Sequence, residues 1–162
     1  MSLNIIGIGE FGASNTVGTT IKTLALGSCV AVILLHPPTR SVGMVHVALP
    51  DSSISPERAQ ERPGYFADTG IPALLRSMTQ LGCNHNGKEY IVKLAGGAKV
   101  MDPNNTFNIG KRNALAIKKI LWKYGLGAVA EDLGGHFSRT VAVHVDTGRV
   151  VLSSSGRPDW EI

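Results

Sequence analysis

Short apolar runs rich in Val and Ile are the feature that most limits how this chain can fold. Val30 to Leu35 is an uninterrupted apolar run of strand length, and the other runs are similarly short. Runs of this kind, separated by Gly, Pro, Asn and Asp, are typical of β-strands. The sequence therefore predicts eight strands: Asn4–Ile8, Thr19–Leu26, Val30–Leu35, Val42–Leu49, Tyr90–Leu94, Ala128–Asp132, Thr140–Val145 and Arg149–Ser153.

Two other segments have apolar residues at helical spacing. The first covers about residues 67 to 81 and is followed by Gly82, a residue that commonly ends helices. The second begins near Asn108, which can act as a cap, and ends at Gly125. Its predicted buried stripe consists of Ile117, Ile120, Leu121 and Tyr124.

The segment from Asp51 to Gly64 is rich in Ser, Pro and charged residues, which predicts an exposed loop. Asp146-Thr147-Gly148 predicts a hairpin turn between the last two strands. A strand-rich chain with two main helices indicates an α+β fold with layered, mixed or antiparallel sheets. Its length of 162 residues fits a single domain that spans 1–162.

Composition excludes several classes of protein. With 43% apolar and 17% charged residues the chain is typical of a globular protein, and no segment approaches the ~20 apolar residues of a spanning helix. The N-terminus lacks a basic region and a cleavage site, so we expect a cytoplasmic protein without membrane insertion. The net charge of +4 is scattered, which argues against nucleic-acid binding. Cys29 and Cys83 are expected to be free thiols.

Cys29 is the first candidate for chemistry, because it lies between two predicted strands in Leu26-Gly27-Ser28-Cys29-Val30. Gly27 and Ser28 predict a bend that presents the sulfur at the end of an element. Backbone N–H groups at such a bend can point at one spot and form an oxyanion hole. A free cysteine is also among the most buried residue types, so Cys29 can equally be a small core residue.

His46 interrupts an apolar strand and shares a face with Met44 and Ala48. A histidine in this setting is either a hydrogen-bonded core residue or a base. With Cys29 nearby it can form a thiolate–imidazolium dyad. Thr23, six residues before Cys29, can accept a hydrogen bond from the second imidazole nitrogen, although by itself it is an ordinary β-branched strand residue. No ligand spacing predicts a metal, and we expect no cofactor.

The motifs around these residues resemble the CheD family, the chemoreceptor glutamine deamidases of bacterial and archaeal chemotaxis. The resemblance covers about residues 5 to 152 in seven ordered blocks. They are Ile6–Glu10, Thr23–Val32, His46–Asp51, Tyr65–Thr69, Ala95–Ala98, Asn108–Gly110 with Arg112–Asn113, and Glu131–Gly135. Residues 52 to 63 and the tail from Ser153 to Ile162 carry no family block.

The resemblance implies a Cys-His-Thr triad, with Cys29 as nucleophile, His46 as base and Thr23 completing it. It implies that glutamine side chains of methyl-accepting chemotaxis receptors are converted to glutamate with release of ammonia. It also implies a fold like the catalytic domain of cytotoxic necrotizing factor, and the CheC phosphatase, which acts on phosphorylated CheY, as a partner. An alternative is a non-catalytic binding module that regulates CheC.

Overall fold

The computed structural model describes residues 1–84, 87–99 and 108–162, which form two five-stranded sheets and three α-helices. The outer sheet has the strand order β1-β3-β8-β9-β10, and the central sheet has the order β2-β5-β4-β6-β7. The strands are β1 Ser2–Ile5, β2 Phe11–Ser14, β3 Thr19–Leu26, β4 Val30–His36, β5 Ser41–Val47, β6 Ile91–Gly96, β7 Ala128–Leu133, β8 Arg139–His144, β9 Val150–Ser153 and β10 Trp160–Glu161. The α-helices are α1 Pro56–Glu61, α2 Ala67–Gln80 and α3 Ile109–Lys123.

Two apolar cores hold these elements in three layers. One core lies between the sheets, where Ile33 and Met44 of the central sheet meet Val141 and Leu152 of the outer sheet. The other lies between the central sheet and the helices, and its members include Val32, Ile71, Leu74 and Ile117. Because both faces of the central sheet are covered, all seven residues of β4 are buried. The predicted α+β class with layered, mixed sheets is confirmed.

The strand prediction is wrong at the N-terminus. The strand predicted over 4–8 is instead β1, which ends at Ile5 and pairs parallel with β3, and a strand that was not predicted, β2, follows and pairs antiparallel with β5. The bend at Gly7–Glu10 between them is closed by a hydrogen bond from Glu10 N to Gly7 O of 3.0 Å. The chain thus contributes one strand to each sheet on either side of this bend.

The loop prediction for Asp51 to Gly64 is also wrong in part. This segment contains α1 and two short 3₁₀ turns, Ser52–Ile54 and Pro63–Tyr65. Pro56 stands at the first position of α1, where a missing N–H does no harm. Its polar composition indicated exposure to solvent, and a short exposed helix meets that condition as well as a loop does.

The two main helices lie where the spacing predicted them. In α3 the buried stripe differs from the prediction, because Tyr124 is 44% exposed and Asn113 is fully buried beside Ile117 and Leu121. The outer sheet also gains β10 from the tail, pairing antiparallel with β9. Within the described residues, no helix is long and apolar enough to cross a membrane.

Candidate active site

Cys29 lies in the link between β3 and β4, partly buried against the core between the sheets. In the β4–β5 pairing, Ala31 stands opposite His46. Cys29 is two residues before Ala31, so it lies on the same side of the chain and diagonal to His46. Diagonal positions on adjacent strands are typically about 7–8 Å apart, within reach of side chains. The sheet therefore brings the two residues to one face.

Thr23 contacts His46 directly from the outer sheet. Its hydroxyl oxygen lies 2.7 Å from Nδ1 of His46, and both side chains are buried. The same hydroxyl donates its proton to the Ile6 carbonyl at 2.8 Å. Because its single proton is committed there, Thr23 can only accept from Nδ1. The neutral His46 ring is thus held as the Nδ1–H tautomer, with the lone pair on Nε2.

Nε2 of His46 is buried and has no hydrogen-bond partner among the described residues. Burial also lowers the pKa of His46 to about 4, so the ring is neutral near pH 7. A buried nitrogen acceptor without a partner is uncommon in folded proteins. The arrangement leaves a neutral base ready to accept a proton.

The thiol of Cys29 is also favoured in its neutral form. Burial raises its pKa, an effect that outweighs the lowering by its own backbone N–H. The two shifts together disfavour the resting thiolate–imidazolium pair expected from the sequence, because each charge lacks solvent. Proton transfer from Cys29 to His46 then has to accompany reaction with a substrate.

The carbonyl groups of the Gly27–Cys29 turn are all held by donors from other segments. Ala98 N donates to the Gly27 oxygen at 2.8 Å, and Gly97 N donates to the Cys29 oxygen at 2.9 Å. The Ser28 oxygen accepts from the side-chain amide of Asn113 at 3.1 Å. Within the described residues, the N–H groups of Ser28 and Cys29 donate to no other residue. In the described part of the chain, these two N–H groups are therefore available as oxyanion donors.

The Ile6–Glu10 segment fixes the backbone of His46. Gly9 N donates to the His46 oxygen at 2.9 Å, and His46 N donates to the Glu10 oxygen at 3.0 Å. The Ile6 carbonyl accepts from Thr23, as described above. One segment thus sets both the strand position of the histidine and the proton on the threonine.

Gly96 allows the end of β6 to approach the cysteine turn. Its φ is +119°, and a β-carbon there would lie 2.3 Å from the Cys29 carbonyl oxygen. No side chain fits at that distance without moving the backbone. Close packing against the Cys29 carbonyl therefore explains why a glycine occupies position 96.

We expect Gly96→Ala to displace the Cys29 backbone and to lower both stability and the turnover that depends on Cys29. Gly148→Ala is the matched control, because Gly148 also has a positive φ of +70° but has open space around it. The control should lose only about 1–2 kcal/mol of unfolding free energy through backbone strain. Urea unfolding and turnover per folded molecule measure the difference. Equal loss of turnover in both variants would contradict a role for the close approach.

Asn113 is the functional-site residue whose role the sequence reasoning missed. Its side-chain amide donates to the Ser28 oxygen at 3.1 Å and to the Ala48 oxygen at 3.0 Å. It thereby ties the cysteine turn to the chain just beyond β5, which carries His46. The available signal was its spacing of four residues from Ile117, which places a polar side chain on the buried face of α3.

We expect Asn113→Leu to destabilise the fold by about 2 kcal/mol, because the buried Ala48 carbonyl and the part-buried Ser28 carbonyl lose their donor. We also expect kcat to fall at least about tenfold with little change in KM, because the turn loses its anchor while the binding surface remains. Ile117→Val, on the same face of α3, is the control and should lose about 1 kcal/mol with normal turnover. If both variants keep normal kcat once folded, Asn113 has no positioning role.

Arg139 links the strands next to the cysteine turn. It is 2% exposed, lies opposite Leu26 in the outer sheet and makes an ion pair with Asp132 at 3.0 Å. It also donates to the Gly96 carbonyl at 3.3 Å. The indole N–H of Trp160 donates to the second oxygen of Asp132, so the tail is tied to this cluster. The Arg139 side chain thus joins the ends of β6, β7 and β8.

A metal centre finds no support in the geometry. Across residues 1–84, 87–99 and 108–162, no group of three or more His, Cys, Asp or Glu side chains is placed to hold a metal ion. The groups that the described residues bring together at the site are the thiol, the imidazole, the threonine hydroxyl and backbone N–H groups.

Comparison with known proteins identifies the family. The sequence model described as CheD chemotactic sensory transduction matches residues 48–154. The chain is 56% identical to a probable chemoreceptor glutamine deamidase CheD of Syntrophotalea carbinolica, over 100% of both chains. It is 38% identical to the chemoreceptor glutamine deamidase CheD of Thermotoga maritima, over 94% of this chain and 92% of that protein.

The solved structures with some similarity include that of the hypothetical protein YfiH of Bacillus licheniformis. The match covers 76% of this chain and 49% of the YfiH chain, with 11% sequence identity and a TM-score of 0.43. This TM-score is too low for the sites of the two proteins to be compared. The family match covers about two thirds of the chain and the relatives cover all or nearly all of it. This chain belongs to the CheD family.

Proposed function

We propose that this protein deamidates glutamine side chains of chemoreceptors in chemotaxis, with Cys29 as nucleophile, His46 as general base and Thr23 as the residue that orients the base. The observation that carries the proposal is the free Nε2 of His46, whose ring Thr23 holds in the required tautomer on the face shared with Cys29. The family relatives named as chemoreceptor glutamine deamidases support the choice of substrate.

In the first half of the proposed reaction, Nε2 of His46 takes the proton of the Cys29 thiol while the sulfur attacks the amide carbon of glutamine. The negative oxygen of the tetrahedral intermediate accepts hydrogen bonds from the N–H groups of Ser28 and Cys29. Oxyanion donors of this kind contribute about 10²–10³ in rate. Gly27 precedes these donors in the turn, and its carbonyl accepts from Ala98 N at 2.8 Å. Collapse of the intermediate breaks the C–N bond, and the proton on Nε2 leaves with ammonia.

In the second half, His46 takes a proton from water, and the resulting hydroxide attacks the thioester carbon. The C–S bond breaks, glutamate is released, and the proton returns to the sulfur of Cys29. Each imidazolium formed on the way is stabilised by the hydrogen bond from Nδ1–H to Thr23. No metal or other cofactor takes part in this scheme.

The test is intact-mass spectrometry of a receptor cytoplasmic fragment after incubation with the protein. Each deamidated glutamine adds about one dalton, since an NH₂ group is replaced by OH. We expect the gain with the wild type and none with Cys29→Ala. A correctly folded wild type that leaves the mass of a cognate receptor unchanged would reject the proposal.

We also propose a single cytoplasmic domain with CheC as a partner and a layered fold like that of cytotoxic necrotizing factor. These proposals rest on the family resemblance. A Cys29→Ala variant that loses deamidation but still binds purified CheC would separate catalysis from partner binding. If wild type and variant bound CheC equally and neither deamidated a receptor, the binding-module alternative would replace the enzyme.

A further inference from the structure

An open groove of about 490 Å³ runs along α3, the helix that also carries Asn113. One wall presents the cationic side chains of Arg112, Lys119 and Lys123 together with Leu115, which is 55% exposed. The opposite wall includes Pro50 and other residues that follow β5. The groove therefore combines positive charge with accessible apolar surface.

The positive charges in this groove are not neutralised within the described residues. The side chains of Arg112, Lys119 and Lys123 make no hydrogen bond or ion pair there, whereas the neighbouring Lys118 pairs with Glu131 at 3.0 Å. The helix carries five basic residues and no acidic residue.

Two carboxylates also line the groove, but both have local partners. Asp51 accepts from Ser53 N at 2.8 Å, and the two oxygens of Asp68 accept from the N–H and the hydroxyl of Ser52 at 3.0 and 2.6 Å. Neither lies in an ion pair with the three cations. An anionic partner would supply the charges that these cations lack.

The groove is connected to the cysteine turn through α3. Asn113, the neighbour of Arg112 in α3, bonds the carbonyl of Ser28 and that of Ala48, and Pro50 follows two residues later. At 1.5 Å per helical residue, Lys119 lies about 10 Å and Lys123 about 16 Å along the axis from Arg112. Spacings of seven and four residues are those by which one helix contacts another along its length.

We propose that this groove docks an acidic α-helix of the protein substrate, with its target glutamine at Cys29 and its carboxylates two to three turns further along. The proposal rests on the deamidase function and adds the chemistry of the substrate segment. Leu115 supplies apolar contact, while the three cations fix the register of the bound helix. Glutamines on helices without such carboxylates are then poor substrates.

The test compares two charge-reversed double variants. In Lys119→Glu with Lys123→Glu, we expect KM for the receptor fragment to rise at least about tenfold, with kcat and hydrolysis of a short glutaminyl peptide changed less than about twofold. Arg40→Glu with Arg76→Glu carries the same change of net charge on exposed sites elsewhere and should leave KM unchanged. Wild-type KM should also rise between roughly 0.05 and 0.5 M salt, as screening weakens the pairing.

Binding separates this proposal from the enzymatic one. The receptor fragment is titrated against Cys29→Ala, with and without the groove reversal, so that affinity is read without turnover. Loss of affinity on reversal supports the groove even if the wild type shows no deamidation. Unchanged affinity would overturn the docking proposal, and so would an equal loss in the Arg40 and Arg76 variant. If the reversal instead dissociated a dimer of this protein, the groove would bind a second copy of the chain and not the substrate helix.

Discussion

Cys29→Ser is expected to lower receptor deamidation at least about 10³-fold while the protein stays folded. A serine hydroxyl has nearly the size of the thiol, but it is much harder to deprotonate, and a neutral His46 of low basicity is a weak base for it. Loss of a nucleophile in comparable sites removes several orders of magnitude of rate. Rate is measured as ammonia release and as the mass gain of the receptor fragment.

Cys83→Ser is the matched control for this substitution. Cys83 is 4% exposed, and its sulfur contacts the Thr39 hydroxyl at 3.3 Å. Thr39 follows the end of β4, whereas Cys29 precedes its start, so the two thiols lie at opposite ends of this strand. The control should keep normal turnover per folded molecule. If the Cys29 variant keeps more than about a tenth of wild-type activity, or if the Cys83 variant loses as much, Cys29 is not the nucleophile.

Alkylation gives a second readout of the same thiol. Because burial raises the pKa of Cys29, its reaction with iodoacetamide near neutral pH should be slower than that of an ordinary exposed cysteine. Fast attack by the sulfur should instead require a bound substrate amide, because the proton then moves to His46 as the sulfur attacks the amide carbon. Rapid labelling of Cys29 in the free protein would indicate a preformed thiolate instead.

The sequence predicted the strands that carry the site because their patterns are local. β3 has the predicted bounds, and β4 and β5 differ by one or two residues at their ends. A cysteine at a bend and a histidine in an apolar strand were visible for the same reason. Thr23 looked like any strand threonine, since its contact with His46 joins two sheets.

The contacts that complete the site are long-range, and no local pattern indicates them. The proton of Thr23 is fixed by Ile6, seventeen residues away, and the Ser28 carbonyl by Asn113, eighty-five residues away. The parallel pairing of β1 with β3 and the addition of β10 are likewise decided by tertiary structure. The roles of the three predicted catalytic residues stay predictions until they are tested.

His46 should make the protein sensitive to acid. Its pKa is about 4 in the folded state and near 6.5 when the chain is unfolded, so between these values the unfolded state binds more protons. The free energy of unfolding therefore falls as the pH drops from about 6.5 towards 4, by a total on the order of 3 kcal/mol from this residue. Above pH 6.5 the ring is neutral in both states and the effect is absent.

His46→Gln should remove that part of the acid sensitivity together with activity. Glutamine can still donate a hydrogen bond towards Thr23, but it has no basic nitrogen for the Cys29 proton, so deamidation should fall at least about 10³-fold. Urea unfolding at several pH values between about 7 and 4.5 measures the first effect as a flatter slope in the variant. The other four histidines are present in both proteins and cancel in the comparison.

The wild-type rate profile gives the complementary evidence. A base with a pKa of about 4 is still almost entirely neutral at pH 5.5, whereas an ordinary histidine would be about nine-tenths protonated there. We therefore expect kcat/KM of the wild type at pH 5.5 to stay within about twofold of its value at pH 7, as far as His46 determines it. A tenfold fall over that interval, with an unfolding slope unchanged by His46→Gln, would mean that the ring titrates as if exposed. In that case His46 would not be a buried, neutral base in the active enzyme.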